Sequence, residues 1–455
     1  MSTFAAVANT WKTWRRTSVD RRVFTAIVTV GGLTFGVKLV AALKEMIVAR
    51  QFGVSNNLDA FLIAYLLPSV AITVVSGSFN AALIPTYIQV REQEGQPAAQ
   101  RLFSSVVIWS VALLILVGVL MGLVAPYALR VLGSGFDSEK LTLTRNLFYI
   151  VLPTLPFSGL FAIWGAVLNA NERFALAAMT PMLTPLVVMI GVYQFGAVLG
   201  IYTFAVAIIV GTLLEGAFLA AGLRRQGIQV MPCWHGLTPA MKQVMKQYAP
   251  MIAGASIMSG TGLVDNAMAA RLGPGSVSIL NYGNKLSAVV LGIGATAVSA
   301  VVLPQFSRIV AAKDWQGAQR TLKAYAQWIL LATIPVALIL IPLSQSLVAF
   351  LFQRGAFTDS DTVQVAAVQS MYLLQLPFYV LGMLYVRLTS ALKANHILMW
   401  GTLISFLLNI VLDYLLMKSF GVSGIALSTT IVYAASLAYL FLTATRLLKR
   451  AEQCA

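Results

Sequence analysis

Residues 36–53 read GVKLVAALKEMIVARQFG and hold Lys38, Lys44 and Glu45 inside an apolar pattern of helical length. Near a bilayer centre each such charge costs about 2.5 kcal/mol or more, so charges kept there have work to do. Lys38 and Glu45 are seven apart, which puts them on one helix face about 10 Å apart along the axis, with Ala41 and Ala42 leaving room between. Lys44 is turned about 100° from Glu45 and flanks the same sector. Asp59 opens the next apolar stretch, and Lys285 lies at a matching depth much later in the chain. Three lysines against one glutamate make a positive site suited to an anion, and lysine meets phosphate as a mobile point charge. Two readings of Lys44 stand: a ligand in a cleft, or a side chain snorkelling to the outer interface. Arg387, near the inner end of its apolar stretch, fits snorkelling better than binding. Asp265, Asp413 and Glu215 lie near helix ends or within reach of lysines, and Asp265 and Asp413 are the candidates for ion coupling.

The elements that position these residues are helices in lipid. Of the 455 residues 59% are hydrophobic and only 10% charged, where soluble domains carry about 25% charged residues. Mean hydropathy is +0.83. Apolar windows of about 20 residues recur from Phe24 almost to the end, which predicts an all-α polytopic membrane protein. About twelve spans are expected, near 24–49, 58–89, 104–130, 146–169, 174–195, 199–223, 246–271, 277–306, 325–352, 364–392, 397–418 and 421–445. With the N-terminus inside, cytoplasmic segments hold 20 of the 31 Lys and Arg, among them Arg224, Arg225, Arg308 and Lys313. External connections hold seven: Arg50, Arg130, Lys140, Arg145, Arg271, Arg354 and Lys418. That asymmetry is the positive-inside signature and predicts both termini in the cytoplasm. It also accounts for much of the +16 net charge, so no nucleic-acid partner is expected.

Residues 1–23 are basic and polar and read as a cytoplasmic segment without a cleaved leader, with Trp11 and Trp14 resting on headgroups. Cys233 and Cys454 read as ordinary thiols, and His235 and His396 fall in cytoplasmic loops. No G-x-S-x-G, P-loop or Cys/His metal spacing occurs, so the expectation is no enzyme, no catalytic residue, no metal and no bound cofactor. Energy would then come from the membrane potential, Na⁺ or H⁺.

An internal repeat sets the domain plan. ALIPTYIQVREQEGQPAAQRLF (82–103) resembles VVLPQFSRIVAAKDWQGAQRTL (301–322), with Pro85/Pro304, Gln100/Gln319 and Arg101/Arg320 all offset by 219. LPFSGLF…VLNANERF (155–174) is echoed by LPFYVLGM…ALKANHIL (376–398). Six spans per copy give both copies one orientation, a transporter plan with the substrate between two parallel lobes. The expected lobes are 24–223 and 246–445, joined by a cytoplasmic linker over 224–245 and followed by a tail over 446–455.

KEMIVARQFG, then LDAFLIAYLLP, SFNAALIPTY and LNANERFALAAMTPML, resemble the lipid II flippase (MurJ/MviN) family of the MOP superfamily, from about Arg21 to Arg450. The resemblance implies a V-shaped bundle of two six-helix lobes around a cationic cavity. It implies transfer of a polyprenyl-diphosphate-linked saccharide, lipid II or a related lipid-linked oligosaccharide, from the inner to the outer leaflet of a bacterial cytoplasmic membrane. That transfer would serve peptidoglycan or surface-polysaccharide synthesis, alongside membrane lipids and glycan synthesis or polymerisation machinery. The family's cavity cations fall on Lys38, Lys44 and Lys285, and its acids on Glu45 and Asp59. Lysine stands here for each family arginine, Ile72 and Thr73 for an arginine pair, and Ser76-Gly77 for a Glu-Gly pair. The chain also stops after the twelfth span, where family members carry two more helices. Two further readings are a drug or cation exporter of the same superfamily, whose cavity should be acid-rich, and a non-transporting scaffold of a glycan assembly complex.

Overall fold

The computed structural model describes residues 18–453 except 232, 235 and 237, so Trp11, Trp14, His235 and Cys454 lie outside the described residues. Fourteen α-helices are described: α1 Ser18–Phe52, α2 Asn56–Glu94, α3 Gln96–Leu132, α4 Ser138–Val151, α5 Thr154–Ala170, α6 Phe174–Met179, α7 Leu183–Leu199, α8 Tyr202–Arg224, α9 Pro239–Ala269, α10 Ser276–Ala311, α11 Trp315–Phe352, α12 Asp359–Leu373, α13 Leu376–Ala391 and α14 Asn395–Gln453. All twelve expected spans fall on them. Among the described residues nine helical stretches are long and apolar enough to cross a membrane. The windows over 24–49 and 246–271 fall on α1 and α9, and α14 contains two spans. Gly421 breaks α14 with φ 58° and ψ −136°. Beyond it the chain runs back antiparallel, as the hydrogen bonds of Ser428 to Asp413 and of Tyr439 to the Ile397 carbonyl show.

Two spans are broken at matching places in the repeat. α4 and α5 meet at Leu152–Pro153, and α12 and α13 meet at Leu374–Gln375 just before Pro377. A proline ring clashes with the carbonyl four residues back and leaves no N–H to donate, which explains the first break and sharpens the second. The turns after α5 and α13 also match. Glu172 and Lys393 both take left-handed φ, 60° and 58°. The Arg173 N–H reaches the Leu168 carbonyl and the Ala394 N–H the Thr389 carbonyl, the six-to-one bond of a Schellman cap. Glu172 therefore corresponds to Lys393, an offset of 221 that the LPF motifs at 155 and 376 share. The Ala-Asn match at 170–171 and 394–395 is out of register by three residues.

The chain forms two compact units that do not follow the repeat boundary. One comprises 1–48, 71–122 and 149–251; the other comprises 49–70, 123–148 and 252–455. In the first, α7 and α8 approach closely through small residues, Gly211 against Thr184 and Gly191 against Ala207, and Gly216 of α8 lies against the Phe161 ring of α5, as expected where lipid offers no hydrophobic drive for helix association. In the second, a core joins Val302 and Phe306 of α10, Leu322 of α11, Leu384 and Leu388 of α13, and Leu440 and Leu448 of α14. Outside these contacts the surface is apolar: α3 presents Leu116, Val119, Leu120 and Leu123, each more than half exposed. That is the pattern of a face solvated by acyl chains.

Candidate functional site

On α1, Lys44 and Glu45 form an ion pair at 2.7 Å, and the ammonium lies 5.5 Å from the centre of the Phe204 ring of α8. Adjacent on the chain, the two charges cancel locally. The pair uses the one glutamate of the expected set of three lysines against Glu45. Lys38 lies on an exposed part of α1, and among the described residues it has no carboxylate within ion-pair distance. It is the uncompensated charge of the opening motif.

Asp59 is placed differently from a cavity ligand. It is fully buried in the second unit, in the first turns of α2. One carboxylate oxygen accepts from Lys140 Nζ at 2.9 Å and from the Gly275 N–H at 2.7 Å. The other accepts from the Ser278 N–H at 2.8 Å and its hydroxyl at 2.6 Å. Four donors occupy both oxygens, so the carboxylate has no strong acceptor position to offer a ligand here, and an anion would be repelled. Lys140, expected in an external connection, is itself buried, bonded to Asn56 at 2.8 Å and 3.9 Å from the centre of the Phe136 ring.

Asp59 and Ser278 are 219 residues apart, the repeat offset. Repeat-equivalent residues can touch only near the axis that relates the two copies, so this cluster lies on that axis. The connections around it obey the same symmetry. The α1–α2 turn packs on the α11–α12 turn, where the Ala356 N–H donates to the Arg50 carbonyl at 2.8 Å and Gly355, at φ 62°, lies against that carbonyl. The α9–α10 turn packs on the α3–α4 turn, where a Cβ on Gly135 would overlap the Ala270 carbonyl. Arg271 Nε adds a 2.9 Å bond to Ser134 Oγ.

Lys285 is half-buried on α10. Arg387 does not snorkel away from the protein: its Nε and Nη2 donate to Ser299 Oγ of α10 at 3.1 and 2.9 Å. Ser299 is two heptads beyond Lys285, so both lie on one side of α10, about 21 Å apart along its axis. Glu215 accepts from the Thr184 N–H at 3.2 Å, holding the start of α7.

Asp265 and Asp413 are brought together. Asn409 Nδ2 donates to Asp265 Oδ1 at 3.2 Å and to Asp413 Oδ1 at 3.4 Å, and the Ser428 hydroxyl donates to Asp413. Asp413 Oδ2 and Asn409 Oδ1 are buried with no hydrogen-bond partner among the described residues. Two neighbouring carboxylates in an apolar setting need a proton or a cation between them. An all-oxygen set suits a hard ion over a transition metal. Asn409, four residues before Asp413 and so on its face, is the member that the charges alone did not flag.

A two-fold repeat of long apolar helices with two broken spans is the architecture of a multi-pass membrane transporter, and the likeness to solved structures gives it the MOP-superfamily fold. The family model for the lipid II flippase MurJ matches residues 48–453, and the chain belongs to that family. The probable lipid II flippase MurJ of Thermotoga maritima is 29% identical over 412 residues, covering 90% of this chain and 83% of its own. The corresponding Rhizobium tropici protein is 27% identical over 428 residues, covering 92% and 80%. Among solved structures, a lipid II flippase MurJ in an inward closed conformation has a TM-score of 0.79 at 24% identity, covering 93% of this chain and 90% of that one. An inward-facing multidrug MATE transporter of the MOP superfamily has a TM-score of 0.75 at 12% identity, covering 91% and 96%, a likeness of fold alone. The protein is a transporter and not an enzyme.

Proposed function

We propose that this chain is a flippase for a polyprenyl-diphosphate-linked saccharide, the cargo being lipid II or a close relative of it. It would work as a self-sufficient secondary transporter in the bacterial cytoplasmic membrane, with both termini inside and two six-helix lobes, 24–223 and 246–445. The observation that carries the reading is the family match along 48–453, which includes the outer cluster, α10 and the acid pair. Lys38 offers the diphosphate an uncompensated charge, and Lys44, Glu45 and Lys285 are the further residues proposed to bind it. Asp59 acts through closure: it ties the outer connections of both repeat copies together on their common axis while the cargo is loaded from inside. Asp265 and Asp413, with Asn409 and Ser428, hold the coupling ion, Na⁺ or H⁺. Glan synthesis or polymerisation machinery would consume the product at the outer face.

Complementation tests this directly. In cells depleted of their own lipid II flippase, expression of this chain should restore cleavage of lipid II by an enzyme added outside. Lipid II that stays protected while the protein is correctly inserted would contradict lipid II as cargo. Restored export of a different lipid-linked glycan would reassign the cargo.

A further inference from the structure

A groove at one end of α3 and α4 has no role in the mechanism above. Leu129 and Arg130 of α3 line it together with Ser138, Leu141, Thr142 and Arg145 of α4. α4 divides its residues between two faces. Positions 140, 144, 147 and 148 are buried, and there Lys140 is neutralised by Asp59. Positions 138, 141, 142 and 145 form the opposite stripe and face the groove. Arg130 and Arg145 are both exposed, and neither has an ion-pair or hydrogen-bond partner among the described residues. Two acids are close in sequence, but neither lines the groove. Asp137 caps α4 by accepting from the Lys140 N–H at 2.8 Å, and Glu139 lies between the two stripes.

The neighbouring surface gives the depth. On α3, Leu123 is 70% exposed, Tyr127 73% and Val131 65%. A tyrosine near the end of an exposed apolar face marks the boundary between acyl chains and headgroups. The charge asymmetry makes this the external side, where arginines in short connections work against the topology. Two guanidinium groups held over one groove at headgroup level suit a phosphate, which they can meet bidentately.

We propose that this groove is a binding site for a lipid-borne phosphate of the outer leaflet, separate from the transport site. The phosphate could be carried by an anionic phospholipid or by the delivered polyprenyl diphosphate; the chemistry is shared. The orientation comes from the reading under Proposed function, whereas the binding does not depend on it.

The test is native mass spectrometry of the full-length, delipidated protein in detergent, titrated with phosphatidylglycerol, phosphatidylcholine or undecaprenyl diphosphate. Phosphatidylglycerol should bind at least about fivefold better than phosphatidylcholine, roughly 1 kcal/mol. That preference should vanish in the Arg130→Gln/Arg145→Gln variant and persist in Lys38→Ala. If the double variant melts early, Arg130→Gln and Arg145→Gln alone should each reduce the preference. Displacement of phosphatidylglycerol by undecaprenyl diphosphate in the wild type only would make delivered cargo the occupant; no displacement would make it the phospholipid. Equal binding of the two phospholipids, or an undiminished preference in the arginine variants, would overturn the proposal. Loss of transport in Lys38→Ala with groove binding intact would separate this site from the flippase reading.

Discussion

Lys38 and Lys44 are six residues apart on one helix, yet the structure gives them different chemistry. Lys44 is compensated by Glu45 at 2.7 Å, whereas Lys38 has no such partner among the described residues. Charge-assisted hydrogen bonds contribute about 1.5–3 kcal/mol, so Lys38→Ala should slow transport by roughly 10- to 100-fold, and Lys38→Arg far less. Lys44→Ala should act partly through the stranded Glu45, so Lys44→Ala/Glu45→Ala should recover part of the loss; initial rates in a flipping assay check both. At Asp59, removing one partner of a buried pair costs about 3–5 kcal/mol. Asp59→Asn should therefore loosen the cluster around it, seen as faster labelling of a cysteine placed in the α1–α2 turn. The double change Asp59→Asn/Lys140→Met should be less than additive. An unchanged labelling rate in Asp59→Asn would remove the closing role. The charge of Asp59 was legible in the sequence, but its partners were not. Adding the repeat offset of 219 to its number points to Ser278; Lys140 is reached only through the packing of α4.

At the scale of elements, the spans were readable because lipid demands continuous apolar windows with all backbone bonds satisfied inside the helix. The breaks were harder to see. The windows over 146–169 and 364–392 read as single spans, and each is two helices. Hydropathy is blind to a missing or redirected backbone bond, although Pro153 and Pro377 marked the places. The repeat itself was visible, but its register near 170 and 394 was not, since an Ala-Asn coincidence outweighed the spacing between helix ends. The α3–α4 and α9–α10 turns are held by a contact with no room for a side chain, so Gly135→Val should part them. The expected outcome is greater protease or thiol access at these turns with helix content unchanged by circular dichroism. Unaltered access would mean that this contact does not hold the two turns together.

For the whole molecule, the orientation proposed from the charge asymmetry carries the direction of work and can be tested. Cys233, exposed in the linker between α8 and α9, should react with impermeant thiol reagents only after the inner face is opened; labelling in intact cells would invert the topology. An anionic cargo moving outward is favoured by an inside-negative potential by about 2.3 kcal/mol per charge per 100 mV across the full field. Dissipating the potential should slow outward movement, whereas ATP depletion at a clamped potential should not. Ion coupling through the acid pair, as proposed, would be a second source: Asp413→Asn should then abolish dependence on the coupling ion while leaving the protein inserted. The central claim is that this chain alone moves a diphosphate-linked lipid, and purified protein in liposomes containing labelled lipid II tests it most directly. The account predicts transfer well above protein-free vesicles, faster when an imposed potential favours the anion's movement, and slowed at least about tenfold by Lys38→Ala, roughly 1.4 kcal/mol. A rate equal to that of empty vesicles, or a full rate with Lys38→Ala, would contradict it.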